Sequence, residues 1–346
     1  MSKGLISKFQ LFRDDFRFWL GKKLFDIRKI DFDCNDTKVF LFIRNDSKYG
    51  DSVISSFAMK AIKENIPNSV IKVISSNNTY DFYQKMAFVD TVYSLNKRPS
   101  YFEIFKIARG LGNIDIAINA QDIVKMKDLF LLRMISAKSN AGVLPDVKMY
   151  NLLLKNDGHY IERFKSLLSS FNIMHYDDSY IIPLSSHCRE RMTPQFKNKK
   201  VVFFNPFGSN KSKSMNEETI CRIIPIFARN GFSVFLSSSP STSNLVNHIC
   251  QKFNDNVFCD EHCASIDDVA THIDMSDIVV SVDTATVHIA TGLKKKTLAI
   301  YHPDMSSYTR WHPNNPHSRT FFSQELDNVN AFNDQELQDV WSTMIG

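Results

Sequence analysis

The segment Ser281-Val282-Asp283-Thr284-Ala285-Thr286-Val287-His288 joins a β-branched run to a helical pattern through an aspartate and a threonine. A helix that opens there presents backbone N–H groups without intrahelical partners, and the positive end of its dipole favours an anion. Ala285 to Val287 are therefore candidate donors to a diphosphate. Asp283 and Thr284 stand at the mouth of that helix, and His288 lies one turn inside it. His288 has a second reading as a buried histidine satisfied by backbone. A similar junction occurs near the start of the chain. There the run Val39-Phe40-Leu41-Phe42-Ile43-Arg44 leads to Tyr49-Gly50-Asp51-Ser52 and then to Ile54, Ala58, Ala61 and Ile62 at helical spacing. Gly50 lets the chain turn, and Asp51 sits at a helix mouth, where a plain N-cap is one reading.

A third segment carries cations. After Asn205 come Pro206-Phe207-Gly208-Ser209-Asn210-Lys211-Ser212-Lys213-Ser214-Met215-Asn216-Glu217-Glu218. Small hydroxyl and amide residues with two lysines, between a strand and a helix, suit a negatively charged ligand. Gly208, Ser209, Lys211 and Lys213 are the candidate contacts, and a solvated surface loop is the alternative. The segment lacks the Gly-Lys-[Ser/Thr] ending of a Walker loop.

These segments need a scaffold that places strand ends beside helix starts. The first half of the chain alternates strands at 39–44, 69–74, 91–95 and 114–119 with helices at 52–65, 79–86 and 101–111, which predicts a parallel sheet with crossover helices. The polar, basic stretch 187–200, with Pro194, reads as a linker. A second alternating series follows, with strands at 201–205, 233–236, 278–282 and 297–301 and helices at 216–230 and 245–253. Asn333-Asp334-Gln335-Glu336 has the form of a capping box opening a terminal helix. Two domains result, over 1–190 and 197–329, and 346 residues suffice for two separate cores.

Composition excludes several classes. With 43% hydrophobic and 23% charged residues, and 28 Phe against 11 Gly, the chain is neither disordered nor of low complexity. No apolar run reaches the roughly 20 residues of a membrane span. The six cysteines are scattered and no secretory signal opens the sequence, which predicts a reduced, cytoplasmic setting. Cys259, His262 and Cys263 could ligate a metal but lack a second ligand pair at zinc spacing, so no metal site is assigned. A net charge of +5 is modest for a nucleic-acid binder, and no Gly-x-Gly-x-x-Gly follows either first strand, which disfavours a dehydrogenase. Residues 1–30 alone carry Lys3, Lys8, Arg13, Arg17, Lys22, Lys23, Arg28 and Lys29 against Asp14, Asp15 and Asp26. Phe9, Phe12, Phe16 and Trp19 recur at helical spacing among those cations. The stripe either rests on an anionic membrane surface or packs on its own domain.

Three segments together carry a family resemblance: Lys48-Tyr49-Gly50-Asp51, Lys213-Ser214-Met215-Asn216-Glu217-Glu218 and Asp283-Thr284-Ala285-Thr286-Val287-His288. In order and spacing they resemble the signatures of the ADP-heptose:lipopolysaccharide heptosyltransferases, glycosyltransferase family 9. The resemblance implies an α/β architecture of GT-B type, with two Rossmann-like domains facing across a cleft. The first would bind the acceptor, and a terminal helix over 330–346 would return to it; the second would bind the sugar nucleotide. It also implies an inverting transfer of heptose from ADP-heptose to a lipid-linked core oligosaccharide, with no essential metal or other cofactor. Asp31-Phe32-Asp33 is then an accidental match to a metal-binding motif. The enzyme would be peripheral on the inner face of the inner membrane. Asp51 would be the general base, Lys213 would contact the diphosphate with Lys211 as its competitor, and Asp283, Thr284, Ala285 and His288 would form the donor site. Basic residues such as Arg44, Lys97 or Arg98 would meet the acceptor. The chain departs from the family pattern in Asp-Thr-Ala for Asp-Thr-Gly, in Lys294-Lys295-Lys296-Thr297 for Gly-x-Pro-Thr, and in Tyr301-His302-Pro303 for Phe-Gly. These departures keep open a different sugar nucleotide or a non-catalytic binding protein. Trp311 could stack on a donor ring or simply pack at a domain edge.

Overall fold

The computed structural model describes residues 2–29 and 31–345, and the side chains of the first helix from residue 12 onward. The chain divides into two units, one of residues 1–48 and 55–178, the other of residues 49–54 and 179–346.

In the first unit the order is α1 (Ser2–Phe25), β1 (Val39–Arg44), α2 (Tyr49–Asn65), β2 (Val70–Ser75), α3 (Tyr80–Gln84), β3 (Thr91–Ser94), α4 (Tyr101–Gly110), β4 (Ile116–Asn119), α5 (Met126–Ile135), β5 (Ser139–Gly142), β6 (Leu152–Leu153) and α6 (Ile161–Ser170). The second unit contains α7 (Ser186–Phe196), β7 (Lys200–Asn205), α8 (Glu217–Ala228), β8 (Phe232–Leu236), α9 (Ser243–Phe253), β9 (Val257–Phe258) and α10 (Ile266–Met275). It continues with β10 (Ile278–Val282), α11 (Ala285–Gly292), β11 (Lys296–Tyr301), α12 (Met305–Trp311), β12 (Ser318–Phe322) and α13 (Asp334–Ile345).

Each unit has one parallel sheet of the same winding, β3-β2-β1-β4-β5-β6 in the first and β12-β11-β10-β7-β8-β9 in the second. The central strands are apolar and buried on both faces, as a parallel sheet covered by crossover helices requires: β10 is buried at every position. The winding reverses between β1 and β4 and again between β7 and β10. A crevice opens outside the carboxyl ends of strands at such a reversal. The expected strands at 201–205, 278–282 and 297–301 are present, as is a helix capped by Asn216, whose side chain accepts from the Thr219 amide at 2.8 Å.

Two expectations of domain organisation are corrected. The stretch 187–200 is largely helix α7, not linker, and it belongs to the second unit with residues 179–186. Cys188, Met192 and Phe196 recur every fourth residue and are buried, and of the basic residues between them Arg191 reaches the buried Asp260 carboxylate. Pro194 sits in the last turn, so the N–H···O bond it removes falls at the end of the helix and not in its middle. The terminal helix α13 packs on the second unit rather than returning to the first. Fully buried Trp341 packs its ring at a tilt against Phe227, with centroids 4.7 Å apart, and its Nε1 donates to Asn230 Oδ1 at 2.9 Å. Leu337 and Met344 enter the same core.

The N-terminal helix α1 lies along α5, and Gly21 permits the approach: a Cβ there would come within 2.9 Å of Met126 Cα. Phe18 and Phe25 pack against the core of the first unit, whereas Phe12, Phe16 and Trp19 are exposed. The described part of the aromatic stripe therefore does not cover its own domain. Phe9, Lys3 and Lys8 fall outside the described side chains. No described helix is long and apolar enough to cross a membrane.

Candidate active site

The switch point of the second sheet gathers three of the predicted segments. Asn205 closes β7 in register with Ser281 of β10, and its side-chain amide donates to Thr284 Oγ1 at 3.1 Å and Thr286 Oγ1 at 3.0 Å. Its Oδ1 accepts from the Phe207 amide at 3.3 Å. One side chain thus ties the start of the lysine loop to the N-cap of α11. Asn205 was not singled out from the sequence. An amide residue ending a strand directly before the loop was the available signal.

Lys213 Nζ donates to Asp283 Oδ2 at 2.6 Å, joining the tip of the loop to the end of β10. Lys211 is exposed and makes no such contact. The loop is held by its own polar groups. The Met215 amide donates to Pro206 O at 2.9 Å, the Lys213 amide to Asn210 Oδ1 at 3.0 Å, and the Gly208 amide to Ser214 Oγ at 3.0 Å. Gly208 is needed for closeness: a Cβ would stand 2.3 Å from Lys213 O. Ser209 is exposed at the turn.

Beside the pair lies a cavity of about 370 Å³, lined by Lys213, Asp283, Asn210, Tyr301, His302, Asp304, Ser307 and Asp327 among others. One cation stands among three carboxylates, with hydroxyl and amide groups between them. Lysine and serine can meet phosphate oxygens, while carboxylates accept from sugar hydroxyls. Tyr301 anchors the wall by donating to Trp311 O at 2.8 Å, and burial together with the Asp283 charge pushes its phenol well above the usual range. Tyr301 and His302 were read from the sequence only as departures from a pattern; their place in this wall follows from the sheet.

Thr284 is the N-cap of α11 in extended conformation, as a strand-to-helix junction demands. Ala285 is its first helical residue and does not have positive φ, so a methyl group there is compatible with the backbone. Alanine therefore does not disable the junction. His288 is buried, and desolvation, followed by the nearby His312 charge, lowers its pKa to about 4. The imidazole is neutral at physiological pH. Its Nδ1 has no hydrogen-bond partner, contrary to the reading of a histidine satisfied by backbone. The Trp311 ring lies edge-on to it at 6.3 Å, which fits packing between aromatic rings.

The first turn of α2, residues 49–54, clusters with the second unit and brings Gly50 against α11. A Cβ on Gly50 would approach His288 Cδ2 to 2.9 Å and Ala285 Cα to 3.7 Å. Gly50 is helical without positive φ, so its role is close approach and not the expected turn. Asp51 is buried in that first turn. It is not the N-cap, a position held by Lys48.

Other sequence candidates lie elsewhere. Arg44 is buried and its Nη1 donates to Tyr160 Oη at 2.8 Å, which removes it from the exposed residues that could meet an acceptor. Asp33 accepts from the Asn35 amide at 2.9 Å, a local turn contact. Among the described residues the one group whose ligand atoms lie mutually within reach is Cys188, Asp260 and His272, not Cys259, His262 and Cys263. The Asp260 carboxylate is already engaged by Arg191 and by His272 Nε2, so the group is a buried polar network joining α7 to α10. All six cysteines are free.

Comparison with known proteins places this arrangement. The family model described as "Glycosyltransferase family 9 (heptosyltransferase)" matches residues 104–341, more than half of the chain. Lipopolysaccharide heptosyltransferase 3 of Escherichia coli K12 is 19% identical over 287 residues, covering 77% of this chain and 82% of the relative. A family 9 glycosyltransferase structure from Veillonella parvula superposes with TM-score 0.74 at 13% identity, over 92% of this chain and 99% of that one. The E. coli heptosyltransferase WaaC with ADP gives TM-score 0.69 at 17% identity, over 88% and 99%. The two parallel sheets are thus the GT-B architecture of these neighbours, and the chain belongs to glycosyltransferase family 9, the heptosyltransferases of lipopolysaccharide biosynthesis.

Proposed function

We propose that this protein transfers heptose from ADP-heptose to a core oligosaccharide acceptor of lipopolysaccharide or lipooligosaccharide, by one displacement that inverts the anomeric carbon. The observation that carries this reading is the Lys213–Asp283 pair, 2.6 Å apart at the mouth of α11 and on the wall of a polar cavity. A solved relative bound to ADP and a curated relative named for lipopolysaccharide support the choice of donor and acceptor.

In this mechanism Asp51 accepts the proton of the acceptor hydroxyl as its oxygen attacks C1 of the heptose. The bond from C1 to the diphosphate oxygen breaks, and ADP leaves with that electron pair. Lys213 and the N-terminus of α11 offset the charge that develops on the leaving diphosphate, so the assignment needs no divalent ion. The Asp283 carboxylate holds Lys213 and takes a donor hydroxyl, and Thr284 fixes the first turn of α11. Residues 1–30 give the enzyme a peripheral contact with the membrane that carries the acceptor.

The test is transfer itself. ADP-heptose, UDP-, GDP- and CMP-sugars are offered with a lipid-linked core acceptor lacking terminal heptose, and product anomeric configuration is read by NMR. Turnover with ADP-heptose in chelator, lost about 10²- to 10⁴-fold in Asp51→Asn, is the expected result. Turnover with another nucleotide sugar alone would move the donor assignment, and full activity of Asp51→Asn would remove the base.

A further inference from the structure

A cavity of about 800 Å³ lies in the first unit, between α1, the β3–α4 loop and the start of α5, and none of the residues of the proposed chemistry lines it. Its cations come from all three: Arg13 and Arg17 from the helix, Lys97 and Arg98 from the loop, Lys125 and Lys127 from the head of α5. Only Asp14 and Asp128 oppose them. Asp14 is taken up by Arg13 at 3.0 Å, and Asp128 accepts from the Lys125 amide at 2.8 Å. Arg17, Lys97 and Arg98 have no hydrogen-bond or ion-pair partner among the described residues.

Exposed aromatic side chains stand on α1 and on α4, whose first residue, Tyr101, lines this basic hollow. Phe12 (71% exposed), Phe16 and Trp19 project from α1, and Phe102 (75% exposed), Tyr101 and Phe105 from α4. Phe16 and Trp19 stack with centroids 5.9 Å apart, Lys127 lies 5.3 Å over the Tyr101 ring, and Arg109 lies 5.2 Å over Phe105. Two separate elements therefore present rings outward beside cations, at positions where water is the default neighbour.

We propose that this hollow is a docking site for the phosphate of an anionic phospholipid, with the aromatic side chains of α1 and α4 entering the headgroup layer around it. The cations complement a phosphate, and Trp, Tyr and Phe favour the interface between water and hydrocarbon. The inference deepens the membrane contact proposed above and rests on it, but it assigns the contact to a pocket shared by α1, the β3–α4 loop and α5 rather than to residues 1–30 alone.

The experiment is co-sedimentation of the full chain, without donor or acceptor, on phosphatidylcholine vesicles and on vesicles also containing phosphatidylglycerol. Binding is expected on the mixed vesicles only, falling with added salt. The pairs Arg13→Gln/Arg17→Gln and Lys97→Gln/Arg98→Gln are each expected to weaken it roughly 25-fold, at about fivefold per cation. Phe16→Ala/Trp19→Ala should weaken it about tenfold or more. ADP affinity of every variant is measured alongside and is expected to match the parent, which keeps misfolding, and any failure of the heptosyltransferase reading, separate from failure here. Equal binding to neutral vesicles overturns the proposal, as does sensitivity to only one of the two cation pairs. Binding of inorganic phosphate without any association with anionic vesicles also overturns it, in favour of a soluble phosphate ligand.

Discussion

Lys213 and Asp283 allow the donor-site argument to be tested quantitatively. Lys213→Met keeps most of the apolar stem and removes the charge. At 2.6 Å the attraction between the two ions is roughly 6 kcal/mol for an effective dielectric of about 20, much of it offset by the water both groups give up. Their side chains are 30% and 16% exposed, which places the pair between a solvated one worth about 0–1 kcal/mol and a desolvated one whose truncation costs about 2–5 kcal/mol. A loss of about 2 kcal/mol is expected, a roughly 30-fold rise in the Kd for ADP. That rise has two sources, lost attraction to the diphosphate and an unpaired Asp283 that repels it. Calorimetric titration of Lys213→Met, Asp283→Asn and the double variant separates them. If Lys213 meets the diphosphate, the double variant stays about tenfold or more weaker than the parent, while Asp283→Asn alone changes affinity by less than about threefold. A double variant that binds ADP like the parent would refute the assignment, because Lys213 would then only neutralise its neighbour.

Gly208→Ala places a methyl group against Lys213 O and is expected to displace the loop, weakening ADP binding by about 1–3 kcal/mol in the same titration; unchanged affinity would separate the loop from the donor site. Trp341→Ala should destabilise the second unit by about 3–5 kcal/mol in denaturant unfolding, since the ring is wholly buried against Phe227. Lys294 has φ 55° at the end of α11, where the Lys295 amide donates to Ala290 O and the Lys294 amide to Thr291 O. This is a left-handed helix terminus suited to glycine, so Lys294→Gly should raise stability by about 1 kcal/mol and the melting temperature of that unit by roughly 2–4 °C. His288 is neutral in the folded state, with its pKa lowered to about 4, so the unfolded chain gains a proton first as pH falls. Stability should therefore decline from about pH 6.5 towards pH 4, by up to about 3 kcal/mol from this residue, and His288→Phe should flatten that part of the profile. An unchanged profile in the variant would count against the buried neutral imidazole.

The terminal helix and the stretch 187–200 show where local pattern stopped being informative. Alternating apolar runs and the strand-to-helix junction at Asp283-Thr284 were legible because each depends on neighbours within a turn or a strand. A helix stripe such as Leu337, Trp341 and Met344 states that it needs a partner without stating which sheet supplies it. The basic residues and Pro194 masked the period of Cys188, Met192 and Phe196, because polarity on one face and burial on the other average out along the chain. The aromatic stripe of α1 had the opposite ambiguity, and the packing of α5 against Gly21 decided which side faces outward.

The sequence by itself determined the two alternating β/α series, the junctions at Asp51 and Thr284, and a lysine-bearing loop between a strand and a helix. Only the tertiary structure showed that Lys213, and not Lys211, pairs with Asp283, because that pairing depends on which side chain reaches across residues distant in the chain. It also showed that Gly50 and Gly208 serve close approach, since a forbidden Cβ contact exists only after another segment has arrived. Asn205 gained its place in the same way, as parallel pairing of β7 with β10 brought one amide within reach of two threonines 79 and 81 residues away.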